Sequence, residues 1–360
     1  MSDDQGRAFG FEGTWRDYAP IAFTNLLLTI VTLGVYRFWA TTRTRRYLWS
    51  RTRFIDEPLE WTGTGLELLI GFLLVLVIFL GPLLFFQFGI QALVLQGHGD
   101  IAFAIGAPLF LLIFYLGGVA RFRMVRYRLS RTFWHGIRGG SDDKGWAYGW
   151  SYCWRYIVAM IPLYLLVPWA MTSLWNDRWS AMSFGPYRFS AKAMPGQIYK
   201  RFLLFYLVPF IMFIVMAVFG GAMFATMSAA PQADPSQPPA GFWLFFAALF
   251  IGIYGVLPVI ALIFYAKFFR VAIGSLSLDT LDFHFTARSK AWLKLILGDV
   301  ALVIFTLGIG AIFLSYRHWK FFVTHLDASG EISLSQLTQS TTAAPGQGEG
   351  LADAFDIGAI

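Results

Sequence analysis

The chain has 360 residues, of which 57% are hydrophobic and only 14% charged, with a net charge of +7. An ordinary soluble domain has about 45 to 50% apolar and about 25% charged residues, so that class is excluded and lipid is indicated as the solvent. The single cysteine, Cys153, excludes an intramolecular disulfide and is expected to be a buried, inert thiol.

The N-terminus, MSDDQGRAFG, carries acids where a signal peptide would carry positive charge, so insertion is expected to rely on internal spans. A hydrocarbon core of roughly 30 Å takes about 20 helical residues to cross. In chain order, the first apolar stretch, Pro20 to Ala40, is interrupted by Asn25. Leu66 to Gln87 and Ile101 to Ala120 are clean spans. Trp150 to Trp175 is interrupted by Arg155, Pro162 and Pro168. Phe202 to Met227 and Phe242 to Ala266 are again clean, and Ala291 to Tyr316 carries Lys294 and Asp299. Abundant aromatics (37 Phe, 14 Trp and 15 Tyr) suit lipid-facing surfaces and interfacial belts.

Basic residues collect on the cytoplasmic flanks of spans. Of the 28, six lie between Arg37 and Gly63, seven between Arg121 and Lys144, five between Arg178 and Arg201, five between Lys267 and Lys294, and two are Arg317 and Lys320. Gln87 to Asp100 and Ser228 to Gly241 contain none, which marks them as outside loops, the second a flexible Pro-rich linker. With every basic segment inside, the three interrupted stretches are expected to enter and return on the cytoplasmic side. The alternative is a plain seven-span topology.

Residues 9 to 61 align without a gap on 283 to 335, matching Thr32-Leu33-Gly34 with Thr306-Leu307-Gly308 and Arg43 with Arg317. A shorter element recurs as FGFEGT at Phe9, LEWTGT at Leu59, YRFSAK at Tyr187 and FHFTAR at Phe283, each with the alternation of a short strand. The expected fold is therefore an all-α polytopic membrane protein, an internally repeated helical bundle with short cytoplasmic strand-like elements. One integral domain covers residues 1 to 327. Residues 328 to 360 turn polar and small and are expected to form a disordered tail ending in LADAFDIGAI.

The run F-x-G-T at Phe11 to Thr14, Asn25-Leu26-Leu27-Leu28, Thr32-Leu33-Gly34-Val35-Tyr36, Trp39, Arg43, Arg45-Arg46-Tyr47 and Thr52 resembles the YjgN-like family of bacterial inner-membrane proteins, as does the ending GEGLADAFD. The resemblance covers nearly the whole chain. Asp56 departs from it, standing where the family's Gly is expected in a turn. The family is one of unknown function, so the resemblance implies a location and a fold, and no reaction.

Asn25, Thr29, Thr32 and Tyr36 follow i, i+4, i+7 and i+11, a polar stripe on one helix face. The repeat places Asp299 against Asn25 and Thr306 against Thr32, so the two stripes are expected to face each other, with Arg155 a candidate partner for Asp299. The competing reading sets Asp299 near the interface, capping a helix or pairing with Lys294. Ionisable groups inside a span mark ion, proton or substrate paths. A second group, Arg43, Arg45, Arg46, Arg121, Arg123, Arg126 and Arg128, suits anionic lipid headgroups, although positive-inside sorting alone accounts for such a cluster. The five histidines lack ligand spacing, and phosphate-loop and catalytic motifs are missing, so no metal, cofactor, nucleic acid or enzymatic activity is expected. Transport or lipid handling through the polar site is the first functional expectation. A non-catalytic scaffold or regulatory protein that binds anionic lipid and a protein partner is the alternative.

Overall fold

The computed structural model describes residues 7–229, 243, 246–247, 249–333, 336–344 and 346. The chain divides into two compact units, the smaller made of residues 194–271 with 287–294 and the larger of the remaining described chain.

The organising element of the larger unit is a set of short strands. β1 (Phe9–Phe11), β2 (Thr52–Phe54) and β3 (Glu57–Pro58) form one antiparallel sheet. The second is a half-barrel of eight strands: β4 (Glu60–Trp61), β5 (Thr132–Trp134), β6 (Ile137–Gly140), β7 (Ser183–Phe184), β8 (Tyr187–Ala191), β9 (Leu276–Leu278), β10 (Leu281–Phe285) and β11 (Leu326–Ser329). Apart from β3 and β4, which Leu59 alone separates, consecutive strands alternate between two kinds of connection. Two-residue turns join β2 to β3, β5 to β6, β7 to β8 and β9 to β10, closing the pairs Phe54↔Glu57, Trp134↔Ile137, Phe184↔Tyr187 and Leu278↔Leu281. At His135-Gly136 both turn residues have positive φ, +51° and +69°, the twist that two-residue hairpins favour.

The other connections are helical, and each leaves and returns to neighbouring antiparallel strands. The first hairpin, α1 (Trp15–Val31) and α2 (Arg37–Ser50), lies between β1 and β2, where Phe9 pairs with Phe54. The second, α3 (Gly65–Leu84), a π segment, α4 (Ile90–Leu95) and α5 (Gly99–Arg131), lies between β4 and β5, where Trp61 pairs with Thr132. α6 (Trp146–Met160) and α7 (Val167–Ser180) form the third, between the paired Gly139 and Phe184. The last, α11 (Ser289–Phe305) and α12 (Leu314–His325), lies between the paired Phe285 and Leu326. Tight turns at one end of the strands leave the other end for the helices, so each helical excursion departs from and returns to the same edge.

Between β8 and β9 runs the chain of the smaller unit: α8 (Gly196–Phe202), a 3-10 turn, α9 (Leu207–Ala229), a π segment at Ile251–Val256 and α10 (Leu257–Ile273). Phe264 packs against Phe202 and Phe205, with both ring centroids 5.6 Å away. Among the described residues, three helical runs are long and apolar enough to cross a membrane: Gly65–Leu95, Gly99–Arg131 and Ile251–Ile273. Thr64 starts the first with a capping box, accepting from Glu67 N while Glu67 Oε2 accepts from Thr64 N.

Strand side chains of the larger unit meet in an open chain of aromatic contacts. Phe9 contacts Phe54 (4.6 Å between centroids), Phe54 contacts Trp134 (4.8 Å), Trp134 contacts Phe184 (6.3 Å), Phe189 contacts Phe283 (6.4 Å) and Phe283 contacts Phe9 (6.3 Å). Rings of this size bury about 150 to 250 Å² each, enough to hold strands of two to five residues that pairing alone would not. A second core of Tyr18, Leu48, Trp49, Trp61, Leu68, Tyr127 and Tyr316 joins the first, second and last hairpins.

The expected all-α class is corrected by these observations. The described residues are 68% helical but include eleven strands in two antiparallel sheets. Four coincide with the recurring elements in the sequence, β1, β4, β8 and β10. The rest are two to four residues long and find partners across 40 to 85 residues or a tight turn, a pairing that local alternation does not register. Gln87 to Asp100, expected as a loop, is mostly helix, with the turn confined to residues 96–98. Ser228 to Gly241 lies outside the described residues from 230 onward, as does the terminal LADAFDIGAI. Residues 328–329 of the expected tail belong to β11, and several described residues between Glu331 and Thr342 are bonded to the strands and their turns. Thr280 Oγ1 donates to Glu331 O, Tyr187 Oη to Ser333 O (3.5 Å) and Gln339 Nε2 to Gly136 O (2.9 Å).

Candidate functional site: polar clamps and self-contained tips

Each short hairpin holds its two arms together with one polar clamp. In the first, the buried Asn25 donates from Nδ2 to Ala40 O (3.2 Å) and Thr44 Oγ1 (3.3 Å). In the third, Arg155 lies 2.5 Å from Asp177 Oδ2, which also accepts from Ser151 Oγ at 3.2 Å. In the last, Asp299 binds Arg317 Nε through Oδ1 and His318 Nε2 through Oδ2, both at 2.6 Å. Asn25 with Thr44 and Asp299 with His318 are the same pair displaced by 274 positions, as the aligned sequences place them.

The remaining stripe residues close the hairpin tips. At the first, Thr32 Oγ1 donates to Leu28 O (2.8 Å) and accepts from Tyr36 N (2.9 Å), while Gly34 N reaches back to Thr29 O (2.7 Å). Thr306 repeats this, donating to Leu302 O and accepting from Gly310 N (both 2.6 Å), with Gly308 N on Val303 O (2.8 Å). Backbone N–H groups 32–37 and 306–311 thereby all have acceptors inside their own turn. The turns need Gly34 and Gly308, at φ +91° and +92°, after Leu33 and Leu307 at +48° and +51°. Both leucines are 94% exposed, and Leu163 at the third tip is 76% exposed. Thr29 Oγ1 bonds its own helix at Asn25 O (2.7 Å).

The six sequence candidates Asn25, Thr29, Thr32, Arg155, Asp299 and Thr306 thus bond within three separate hairpins. The first and last hairpins do pack together, but through rings: Tyr18 on Tyr316 (5.5 Å), Phe23 on Phe313 (6.0 Å) and Trp49 on Trp319 (4.0 Å). Sequence reasoning missed the clamp partners Asp177 and His318, because residues 19 to 22 apart meet only once the turn is in place. For Arg317 a signal existed, its alignment with Arg43.

The arginines lie in α2 and in the last third of α5, the helices that lead into β2 and β5. Arg43, Arg46 and Arg121 are exposed, Arg123 and Arg128 half-buried, and Arg45 and Arg126 buried. Several lie over aromatic faces: Arg45 on Trp61 (5.0 Å), Arg121 on Tyr152 (4.9 Å) and Arg123 on Trp146 (4.6 Å). Arg131 is 2.6 Å from Glu67 Oε1, and Glu67 Oε2 accepts from Tyr127 Oη at 3.0 Å. Both Asp56 oxygens lie 3.0 Å from His135 Nε2, tying the turn of the three-stranded sheet to a turn of the eight-stranded one. Arg138 in β6 donates to Thr342 O, and its pKa is pushed below the usual arginine value by partial burial and then by Arg131 and Arg126. Among the described residues no cluster of His, Cys, Asp and Glu has the makings of a metal site.

Residues 7–354 match the family described as "Bacterial protein of unknown function (DUF898)". The chain belongs to this family. A relative, "Inner membrane protein YjgN" of Salmonella typhimurium, is 23% identical over 93% of this chain and 92% of its own length. The protein of the same name from Escherichia coli K12 is 28% identical over 38% of this chain and 31% of its own. No solved structure matches. These DUF898 relatives are named inner membrane proteins, and the three apolar helices of this chain fit a membrane protein.

Proposed function

We propose that this DUF898 protein handles phospholipid at the cytoplasmic leaflet of the inner membrane. In this reading the strands and arginine-rich helix bases lie at the cytoplasmic surface, the two long helical excursions cross the bilayer and return, and the three short hairpins dip into the near leaflet. The observation that carries it is the tip turn. An exposed turn in water has no need to satisfy every backbone N–H internally and no reason to present a leucine at 94% exposure. In hydrocarbon both are required, because an unmet backbone group there costs several kcal/mol. Helix α1, 17 residues and about 26 Å long, is also short of a full crossing with its headgroup zones.

Anionic headgroups are the partner this arrangement suits. Arg43, Arg46 and Arg121 are exposed, as are the aromatic side chains of Trp15 and Trp150. Each basic residue near an anionic leaflet contributes about 1 kcal/mol. No catalytic step is part of this reading. Transport is the second reading, favoured by the Asp299–His318 pair inside an apolar hairpin.

The test is cysteine accessibility in intact cells, with Cys153 replaced and single cysteines at Leu33, Asp100, Ala181, Ser236 and Ser329. A membrane-impermeant thiol reagent should label 100 and 236 from outside, label 181 and 329 only after the membrane is opened, and leave 33 unlabelled in both. Labelling at 181 from outside makes the third hairpin a span and ends the one-sided arrangement. Labelling at 33 by an aqueous reagent ends the immersion of the tips.

A further inference from the structure

Four cations of the smaller unit, drawn from three separate segments, converge. Arg201 of α8 donates from Nη1 to Ile263 O in α10 (3.5 Å). Lys267 and Arg270 follow Ile263 at i+4 and i+7, on the same face of α10. Arg270 Nε donates to Ala266 O (3.2 Å), which lays its guanidinium along its own helix. Arg288 immediately precedes α11, whose Trp292 stacks on Phe269 of α10 with centroids 5.7 Å apart. The charged neighbours of Lys267 are Arg270 and Arg201, and those of Arg270 are Arg201 and Arg288. Arg201, Lys267 and Arg270 are half-buried and Arg288 is exposed. No described residue of this unit is an Asp or a Glu, and among the described residues none of the four cations forms an ion pair. The larger unit differs: there Arg131, Arg155 and Arg317 each have a carboxylate within 2.6 Å.

Like charges this close repel, and half-burial weakens the screening that water and salt give an exposed cluster. Positive-inside sorting counts the basic residues near the ends of a span and is indifferent to whether they meet. Three segments that carry their cations to one place, with no acid among them, call for an anion. Phosphate is the anion that fits, since an Arg guanidinium forks onto two of its oxygens while Lys adds a point charge. The position favours the phosphate of a lipid. Residues 251–266, immediately before Lys267, carry no charge, and basic pockets at the cytoplasmic ends of spans take anionic headgroups.

We propose that Arg201, Lys267, Arg270 and Arg288 form a binding site for the phosphate of an anionic glycerophospholipid, built from other residues than the exposed arginines of α2 and α5. The site rests on the lipid reading above for the source of its ligand and on the four cations for its chemistry. Arg201 and Arg270 hold the phosphate oxygens, Lys267 and Arg288 add charge, and the acyl chains run along the apolar length of α10.

The experiment follows thermal unfolding of the full chain in an uncharged maltoside detergent at fixed ionic strength, titrated with dioctanoyl phosphatidylglycerol, dioctanoylglycerol or inorganic phosphate. A ligand that binds only the folded state raises the unfolding midpoint as its concentration passes the dissociation constant. Phosphatidylglycerol should raise it and dioctanoylglycerol should not. Lys267→Gln combined with Arg270→Gln should weaken the apparent affinity about tenfold, whereas removing the same charge from the exposed Arg16 and Lys192 should leave it unchanged. Should the double variant fail to fold, Lys267→Gln alone, at a side chain with no hydrogen-bond partner among the described residues, should weaken it about threefold. An equal response of the wild type and the folded variant overturns the site and leaves the lipid reading standing, because the headgroup is then bound elsewhere. A response to inorganic phosphate as strong as to phosphatidylglycerol, lost in the variant, upholds the four-cation site and overturns its lipid source. No response of the wild type to either overturns both the site and the headgroup partner of the lipid reading.

Discussion

Replacing Asp299 by Asn keeps the side chain's shape and removes the charge that Arg317 and His318 share. Breaking a fully buried ion pair by deleting one partner costs about 3 to 5 kcal/mol, and losing an exposed one costs about 0 to 1 kcal/mol. Side-chain exposures of 12% for Asp299, 34% for Arg317 and 50% for His318 place this cluster between the two. An Asn also retains an acceptor for Arg317 Nε, now at 2.6 Å from Oδ1. The expected loss is therefore about 1 to 2 kcal/mol. A double-mutant cycle of Asp299→Asn with Arg317→Gln, read by thermal unfolding of the purified full chain in detergent, isolates the pair. A coupling energy below about 0.3 kcal/mol, the usual error of additivity, refutes the claim that this clamp holds α11 to α12. A variant that unfolds normally yet abolishes a cellular phenotype instead moves Asp299 from clamp to transport path.

Two further outcomes follow from the geometry. Gly34→Ala and Gly308→Ala meet no atom within 4 Å at either tip, so only the positive φ is penalised, at about 1 to 2 kcal/mol each and additively; melting curves of the two single variants and the double check this. Trp134→Ala removes a ring that is 1% exposed and sits between Phe54 and Phe184, and should cost about 3 to 5 kcal/mol, seen as loss of folded protein in membranes while synthesis is unchanged.

The sequence was most legible in its apolar runs. Leu66 to Gln87 and Ile101 to Ala120 fall in helices apolar enough to cross a membrane, because hydropathy depends on composition, which survives without knowing any contact. Thr32-Leu33-Gly34 and Thr306-Leu307-Gly308, which the gapless match of 9–61 with 283–335 sets against each other, form turns with the same bonds, because turn chemistry is local. The sheet was half legible. β1, β4, β8 and β10 precede helices and carry an alternating pattern ended by a small residue, whereas β7 is two residues, Ser183–Phe184, and gains its identity only from Gly139 and Tyr187 across two ladders. The polar stripe misled for a related reason. A Thr at i+7 from an Asn predicts a shared face, but the hydroxyls of Thr29 and Thr32 are taken up by their own helix, as Ser and Thr side chains commonly are.

Residues 336–344 test whether composition or contact decides the fate of a polar segment. Ser, Thr and Gln in series lack the apolar area to fold alone, yet here Gln339 Oε1 accepts from Arg138 N (3.2 Å), Arg138 donates to Thr342 O, and Ser340 and Thr342 are buried with their hydroxyls 2.8 Å apart. Gly140 makes room for this, since a Cβ there would fall on Thr342 Oγ1. A hydrogen bond to a charged group contributes about 1.5 to 3 kcal/mol, so Arg138→Ala should raise the opened fraction of the segment at least about tenfold. Gly140→Val should do the same by displacing Thr342 while leaving Arg138 in place. Amide hydrogen exchange of residues 338–342 in the full chain reads both. If protection is unchanged in both variants, the segment is held by something other than the sheet. If both lose it while the hairpin clamps keep their thermal stability, the strap is a separate unit that a partner can displace without unfolding the membrane core, which is the physical requirement of the regulatory alternative.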